Sequence, residues 1–191
     1  MSKKTGGQVS RLPQILDKAA ELFAANGYRG TSTRDIMGAL SMPSGSLYYH
    51  FSSKEDLLAA VYKVGVQHVI DVVDRAIVGE ADPWVRLEKA CAAHLQAILE
   101  DNSYAQVISK IMPEDVPSDV ERLTELRDEY EMIFVKVIQD LALPSDISRK
   151  SLRLLLLGAL NWSRIWYRSG QDSPAAIAAE FVQIVKGNLA R

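Results

Sequence analysis

The stretch TSTRDIMGALSMPSGSLYYHFSSKEDLL, residues 31–58, decides how the rest of the chain is read. Thr31 and Ser32 supply hydroxyls that can cap the first free amides of a short helix running through Ile36 and Met37 to Leu40. A turn around Ser41-Met42-Pro43 leads into another short helix, from Ser44 to about Phe51. Ser53-Lys54-Glu55-Asp56 then places an acid three residues after a hydroxyl, the capping-box spacing that opens a longer helix. Two short helices joined by a tight turn, the second beginning with small polar residues, form a helix-turn-helix. A helix fits the major groove of a duplex, and its first turn must be free of bulk to approach the base edges. Ser44-Gly45-Ser46 meets that requirement. Gly45 costs about 1 kcal/mol of helix stability relative to Ala, which suits either a simple turn or a close approach of backbone to a partner.

Outward from this stretch the chain reads as helix nearly throughout. Leu12, Ile15, Leu16, Ala19, Leu22 and Phe23 have the spacing of a one-sided helix, which Asn26-Gly27 ends. Leu58, Val61, Tyr62, Gly65, Val69, Val72 and Val73 form the stripe of the long helix after Ser53. Asp82-Pro83 starts a helix reaching to about Glu100, with Pro at the first helical position. A short helix is expected over residues 102–111 and a loop over 113–117. From Ser118 an amphipathic helix buries Val120, Leu123, Leu126, Tyr130, Ile133, Phe134 and Val137. Residues 146–168 are apolar on most of the helix circumference, which predicts burial on several sides. Ser173-Pro174 starts a last helix ending near Gly187. The expected fold is all-α, with residues 1–10 a flexible segment, 11–57 a three-helix unit, and 58–191 a larger helical body.

With 191 residues, 48% hydrophobic and 24% charged, the chain has enough apolar content for a sizeable core. The net charge of −2 conceals an uneven distribution: residues 1–50 sum to +3 and residues 51–191 to −5. A basic head thus precedes an acidic body. No run approaches the ~20 apolar residues that span a bilayer, and the lysines near the N-terminus precede no signal-peptide core, so a cytoplasmic address without a membrane partner is expected. The lone Cys91 reads as a small buried hydrophobe. His50, His68 and His94 show no metal-ligand spacing with it, and no nucleophile elbow or phosphate-binding loop occurs. These absences argue against an enzyme, a metal site or a resident cofactor.

The run Ile15-Leu16, Ala19-Ala20, Leu22-Phe23, Gly27-Tyr28, Gly30-Thr31-Ser32 and Ile36, followed by Ser44 to Phe51, Lys54-Glu55 and Leu57-Leu58, resembles the TetR family of bacterial transcriptional repressors. The resemblance covers about residues 11–60. It implies a homodimer of all-helical subunits, an N-terminal unit that binds a double-stranded operator, and a divergent C-terminal body that binds an effector and dimerises. Carried onto this chain, it places the DNA contacts at Thr33, Arg34, Ser44, Gly45, Ser46, Tyr48, Tyr49, His50 and Lys54, while Leu47 and Phe51 face the core. By chemistry, Arg34 has the planar fork that takes guanine O6 and N7 together, and Tyr48, Tyr49, His50 and Lys54 suit phosphates. Ser41 stands where the family usually has the turn glycine, and Pro43 where it usually has a capping Ser or Thr; Pro occupies such a place without a donor.

In the body, a helical wheel over residues 146–168 puts Arg153, Asn161, Arg164 and Arg168 in one arc and Leu155, Ala159, Trp162 and Trp166 opposite. Two readings stay open. The arginines pair with Glu121, Glu125, Asp128 or Glu131 while the tryptophans fill a core or a dimer interface; or an apolar wall and a basic rim hold an anionic, hydrophobic effector. Leu156 to Trp162, with Trp166-Tyr167-Arg168 and Ser173-Pro174 through Phe181, is similar to TetR-type repressors of fatty-acid and steroid catabolism, whose effectors are acyl-coenzyme A thioesters. That similarity implies Asn161, Trp162, Arg164, Trp166 and Arg168 as effector contacts. His94, Tyr104, Tyr130 and Phe134 are added by residue type alone. The helices from Asp146 and Ser173 are expected to form a four-helix dimer interface, which sets two recognition helices ~34–36 Å apart on a palindromic operator. A non-CoA hydrophobic or aromatic effector, or a DNA-binding protein without effector, remains the alternative.

Overall fold

The computed structural model describes residues 11–43 and 45–189, which among them form helices and turns and no strand. The N-terminal unit contains α1 (Leu12–Asn26), α2 (Thr33–Ala39) and α3 (Gly45–Tyr48). Helix α4 (Lys54–Ile77) leads from it into a body of α5 (Pro83–Gln96), α6 (Ser103–Lys110), α7 (Val120–Gln139), α8 (Arg149–Trp166) and α9 (Pro174–Leu189).

The apolar periodicity of each helix is what buries it. In α1, Ile15, Ala19 and Phe23 are fully buried, while Leu12, Leu16 and Leu22 lie half-buried beside them. In α4, Leu58, Val61, Tyr62, Val69 and Val73 are buried and Val72 is half-buried. In α7, Leu123, Tyr130, Ile133, Phe134 and Val137 are inside, whereas Val120 and Leu126 stop half-way. Each fully buried Leu or Phe contributes about 1.5–3 kcal/mol relative to exposure. Helix α6 lies against both α1 and α4, and Gly65 of α4 lets that approach happen: a Cβ there would stand 2.5 Å from the Tyr104 carbonyl oxygen of α6.

Several boundaries differ from expectation. The second helix of the helix-turn-helix is a single turn, Gly45–Tyr48, after which the amides of His50 and Phe51 both bond to the Leu47 carbonyl at 2.9 Å. Helix α5 ends at Gln96, and Ala97–Asp101 follow as a π-helical turn. The loop after α6 contains two 3-10 turns, Pro113–Asp115 and Pro117–Asp119. The largest departure is in α8, which is not enclosed on several sides: Leu155 and Trp162 are 64% and 62% exposed, and Leu154, Ile165 and Trp166 also face solvent. Periodicity finds the face that avoids water within one chain; it does not say what covers the others.

Candidate DNA interface and effector site

The N-terminal unit is assembled around a cap and a turn. The Ser32 hydroxyl accepts the Asp35 amide at 3.1 Å, and the Asp35 carboxylate accepts the Ser32 amide at 2.9 Å, a complete capping box at the start of α2. The hydrogen bond from the Ser32 side chain holds the Asp35 carboxyl below its ordinary range. Thr31 does not cap; its hydroxyl turns inward, 3.1 Å from the Leu22 carbonyl and 2.9 Å from that of Gly27. The turn between α2 and α3 is left-handed at Ser41, φ 52°, the position where the sequence lacks a glycine. The Met42 amide closes it onto the Met37 carbonyl at 2.9 Å, and the Pro43 carbonyl accepts Ser46 at 2.9 Å to start α3.

This scaffold leaves a polar surface between α2 and α3. Ser32, Thr33, Arg34 and Tyr48 line one shallow cleft, and Arg34 is exposed beside the Asp35 carboxylate already engaged by Ser32. Tyr48 is 57% and Tyr49 87% exposed, and Tyr49 meets His50 edge-on with ring centroids 5.0 Å apart. Gly45 and His50 are exposed and Ser46 is half-buried. Leu47 is fully buried and Phe51 packs against the core. Ser44, also expected as a contact, lies outside the described residues. Lys54 differs from a free surface charge: its ammonium donates to the Tyr28 and Thr31 carbonyls, each at 2.8 Å, and sits 3.9 Å over the Tyr28 ring. It therefore fastens the α1–α2 connection to the first turn of α4 and keeps one N–H for an outside acceptor. Beside it the Tyr28 hydroxyl donates to Glu55, and burial together with that carboxylate pushes the phenol up to about 12.

In the body, four expected effector residues from three helices meet. His94 of α5, wholly buried, lies between Asn161 of α8, 3.2 Å from Nε2, and the Tyr130 hydroxyl of α7, 2.9 Å from Nδ1. Phe134 closes the cluster edge-on to the His94 ring at 5.6 Å. The Asn161 side-chain oxygen only accepts, so Nε2 carries the proton and Nδ1 accepts from Tyr130: a neutral imidazole with both nitrogens satisfied. Burial drives the His94 pKa down to about 4, and burial raises that of Tyr130. The result is a buried, uncharged cluster whose polar atoms answer one another.

The other expected effector residues are not brought to this cluster. Tyr104 is on α6, its hydroxyl donating to Asp17 of α1 at 2.7 Å. Trp162 and Trp166 lie on the exposed face of α8, and Arg168 is exposed with Nη1 donating to the Tyr167 carbonyl at 2.8 Å. Arg153 takes the ion-pair alternative, 3.3 Å from Glu131, whereas Arg164 is half-buried with no carboxylate partner among the described residues. Sequence reasoning missed two ties between body and N-terminal unit: Lys110 of α6 donates to the Ala24 carbonyl at 2.7 Å, and Arg122 of α7 binds Asp56 at 3.0 Å. Both join residues more than 60 positions apart, which no local pattern signals.

Residues 15–61 match the model described as bacterial regulatory proteins of the tetR family, and residues 80–189, more than half of the chain, match the tetracyclin repressor-like C-terminal domain. The chain belongs to the TetR family. It is accordingly a DNA-binding regulator of transcription and not an enzyme. The HTH-type transcriptional repressor KstR2 of Rhodococcus jostii RHA1 is 28% identical over 193 residues, covering 97% of this chain and 94% of that protein. KstR2 of Mycobacterium tuberculosis H37Rv is 36% identical over 110 residues, 55% of this chain and 52% of that protein. Among solved structures, AibR in complex with isovaleryl coenzyme A and operator DNA superposes with a TM-score of 0.78 at 22% identity, covering 92% of this chain and 97% of that one. The M. tuberculosis KstR2 structure gives 0.74 at 24%, covering 96% and 97%. These two likenesses establish the TetR fold over nearly the whole chain. Among the described residues no helix is long and apolar enough to cross a membrane.

Proposed function

We propose that this TetR-family protein is a cytoplasmic homodimeric repressor that leaves a palindromic operator when an acyl-coenzyme A thioester occupies its body. Residues 11–57 serve as the DNA-binding unit, with Arg34 reading bases and Thr33, Ser44, Gly45, Ser46, Tyr48, Tyr49, His50 and Lys54 placing the helix on the groove. Residues 58–191 bind effector and dimerise. The dimer reading is supported by the large apolar side chains of Leu155, Trp162 and Trp166 on α8 and Ile184 on α9, which stay open to water in one chain. A Trp162→Glu variant is expected to sediment as a monomer and to lose operator binding; a variant that still sediments as a dimer removes this face from the interface.

The observation that carries the effector half is the buried, uncharged His94–Tyr130–Asn161 cluster. A thioester carbonyl of an acyl chain entering there would take over the bond that His94 Nε2 now gives to Asn161, without a change of charge. Arg164, without a carboxylate partner among the described residues, is the candidate for the anionic end of such a ligand. The isovaleryl coenzyme A held by AibR and the lengthwise similarity to KstR2 support the ligand class. The test is fluorescence anisotropy of labelled DNA from the region upstream of the coding sequence, with isovaleryl- and long-chain acyl-coenzyme A added separately. A coupling of about 1–3 kcal/mol gives a 5- to 150-fold fall in operator affinity. Arg164→Ala is expected to bind DNA normally and to need more effector. Release by neither thioester, with DNA binding intact, refutes the acyl-coenzyme A assignment.

A further inference from the structure

Between α1 and α2 the chain turns Tyr28 and Thr31 inward and leaves the side chain of Arg29 outside. The Thr31 amide bonds back to the Tyr28 carbonyl at 3.4 Å, so Arg29 and Gly30 form the tip of a tight turn. Tyr28 lies beside Phe23, ring centroids 6.4 Å apart, with its hydroxyl on Glu55. At Gly30 a Cβ would stand 2.4 Å from the Asn26 carbonyl oxygen, so the end of α1 closes that side of the turn. Thr31 is buried, its hydroxyl on the Leu22 and Gly27 carbonyls. Arg29 is exposed and has no acceptor among the described residues.

One ammonium holds this turn from both sides: Lys54 donates to the carbonyls of Tyr28 and Thr31, the two residues that bracket Arg29 and Gly30. Arg29 therefore projects from a base with little backbone freedom left to lose on binding. Three residues further on begins the polar cleft of Ser32, Thr33, Arg34 and Tyr48. Of the other cations near this cleft, Lys54 is engaged with carbonyls and Arg34 stands beside Asp35, while Lys18 on α1 is paired with Glu21. Arg29 brings a full charge and a five-donor fork that the fold itself does not use.

From this we infer that Arg29 is a phosphate-binding residue of the DNA interface, reaching from the 28–31 turn to a phosphate beside the groove that α3 enters and fixing how α2 is seated, without reading bases. A guanidinium takes two phosphate oxygens at once, whereas a lysine in the same place supplies charge without the fork. A backbone contact of this kind positions the protein and carries no sequence information. The inference rests on the reading that residues 11–57 bind the operator, and it adds a contact outside the residues assigned to that role above.

The test is fluorescence anisotropy of the full-length protein on the upstream duplex and on a random duplex, over salt from about 50 to 200 mM. Arg29→Ala is expected to weaken binding to both by the same factor, about tenfold at the lowest salt, and to flatten the plot of log affinity against log salt by about 0.9 for each bound subunit. Arg29→Lys is expected to keep the wild-type slope at reduced affinity. Arg75→Ala removes an exposed arginine from the last turn of α4, about 32 Å along the helix from Lys54, and is expected to leave the slope unchanged. Thermal melting of Arg29→Ala is expected to match wild type, because no described residue bonds to its side chain. An unchanged slope in Arg29→Ala, a loss confined to the upstream duplex, or an equal change in Arg75→Ala overturns the assignment. Any of these, with wild type binding DNA, sinks Arg29 alone, whereas failure of the wild-type protein to bind either duplex sinks the DNA interface as a whole and Arg29 with it.

Discussion

His94 makes the stability of this protein depend on pH in a calculable way. In the unfolded chain a histidine titrates near its ordinary 6.5; in the fold, burial holds His94 neutral down to about 4. Between those values the unfolded state binds a proton that the folded state does not, so stability falls as pH falls through this window. Above the unfolded value the full contribution is present. The loss works out to about 2 kcal/mol at pH 5 relative to pH 8, approaching about 3 kcal/mol near pH 4. His94→Gln removes the titration while keeping an amide that can bond Tyr130 and Asn161. Urea unfolding of both proteins at fixed concentration, at half-unit steps from pH 8 to pH 5, reads the difference directly, and the fixed concentration removes any contribution from association. The wild-type curve is expected to drop toward the variant by about 2 kcal/mol. A difference that stays constant across that range means that His94 is solvated or charged in the native protein, and the dry cluster is then wrong.

Other perturbations act on the N-terminal unit. Arg34→Ala is expected to cost about 1–3 kcal/mol of operator affinity with little loss on random DNA; equal losses on both would remove its base-reading role. Lys54→Ala is expected to lower thermal stability as well as DNA affinity, by about 1–2 kcal/mol, because two carbonyls lose a charged donor. Unchanged melting would return Lys54 to the surface. Ser41→Gly relieves a left-handed serine and is expected to stabilise the protein by about 1 kcal/mol in the same unfolding assay. Gly65→Ala pushes a methyl against the Tyr104 carbonyl and is expected to destabilise by about 1–3 kcal/mol; a neutral result would mean that α6 does not approach α4 so closely.

The elements of the N-terminal unit were legible because their signals are local. Leu12 to Phe23, Asn26-Gly27 and Ser53 each act within a turn or two of helix, and helix α1, its stop and the Ser53 cap to the Asp56 amide follow from spacing alone. Even there the chemistry shifted by one residue: the Asp56 carboxylate reaches back to the Ser52 amide rather than to Ser53. In the body, residue type brought His94, Tyr130 and Phe134 into consideration and the family likeness brought Asn161, but residue type also admitted Tyr104, which is satisfied 87 residues away by Asp17. Distinguishing them requires knowing how α5, α7 and α8 cross. The wheel of α8 set its two faces apart but left the tryptophans open between a core, a dimer interface and an effector wall, because hydropathy is indifferent to whether a side chain avoids water inside one subunit or between two.

Helix α4 is 24 residues long and contains no proline, so it transmits rotation as one rod about 36 Å in length. A tilt of about 5° at the body end moves the opposite end by about 3 Å, close to the ~3.4 Å that separates successive base pairs on a strand. On the proposal that Arg34 reads bases, a displacement too small to repack the interior is enough to put it out of register with its target, and a substitution that softens the rod would trade signal gain for grip.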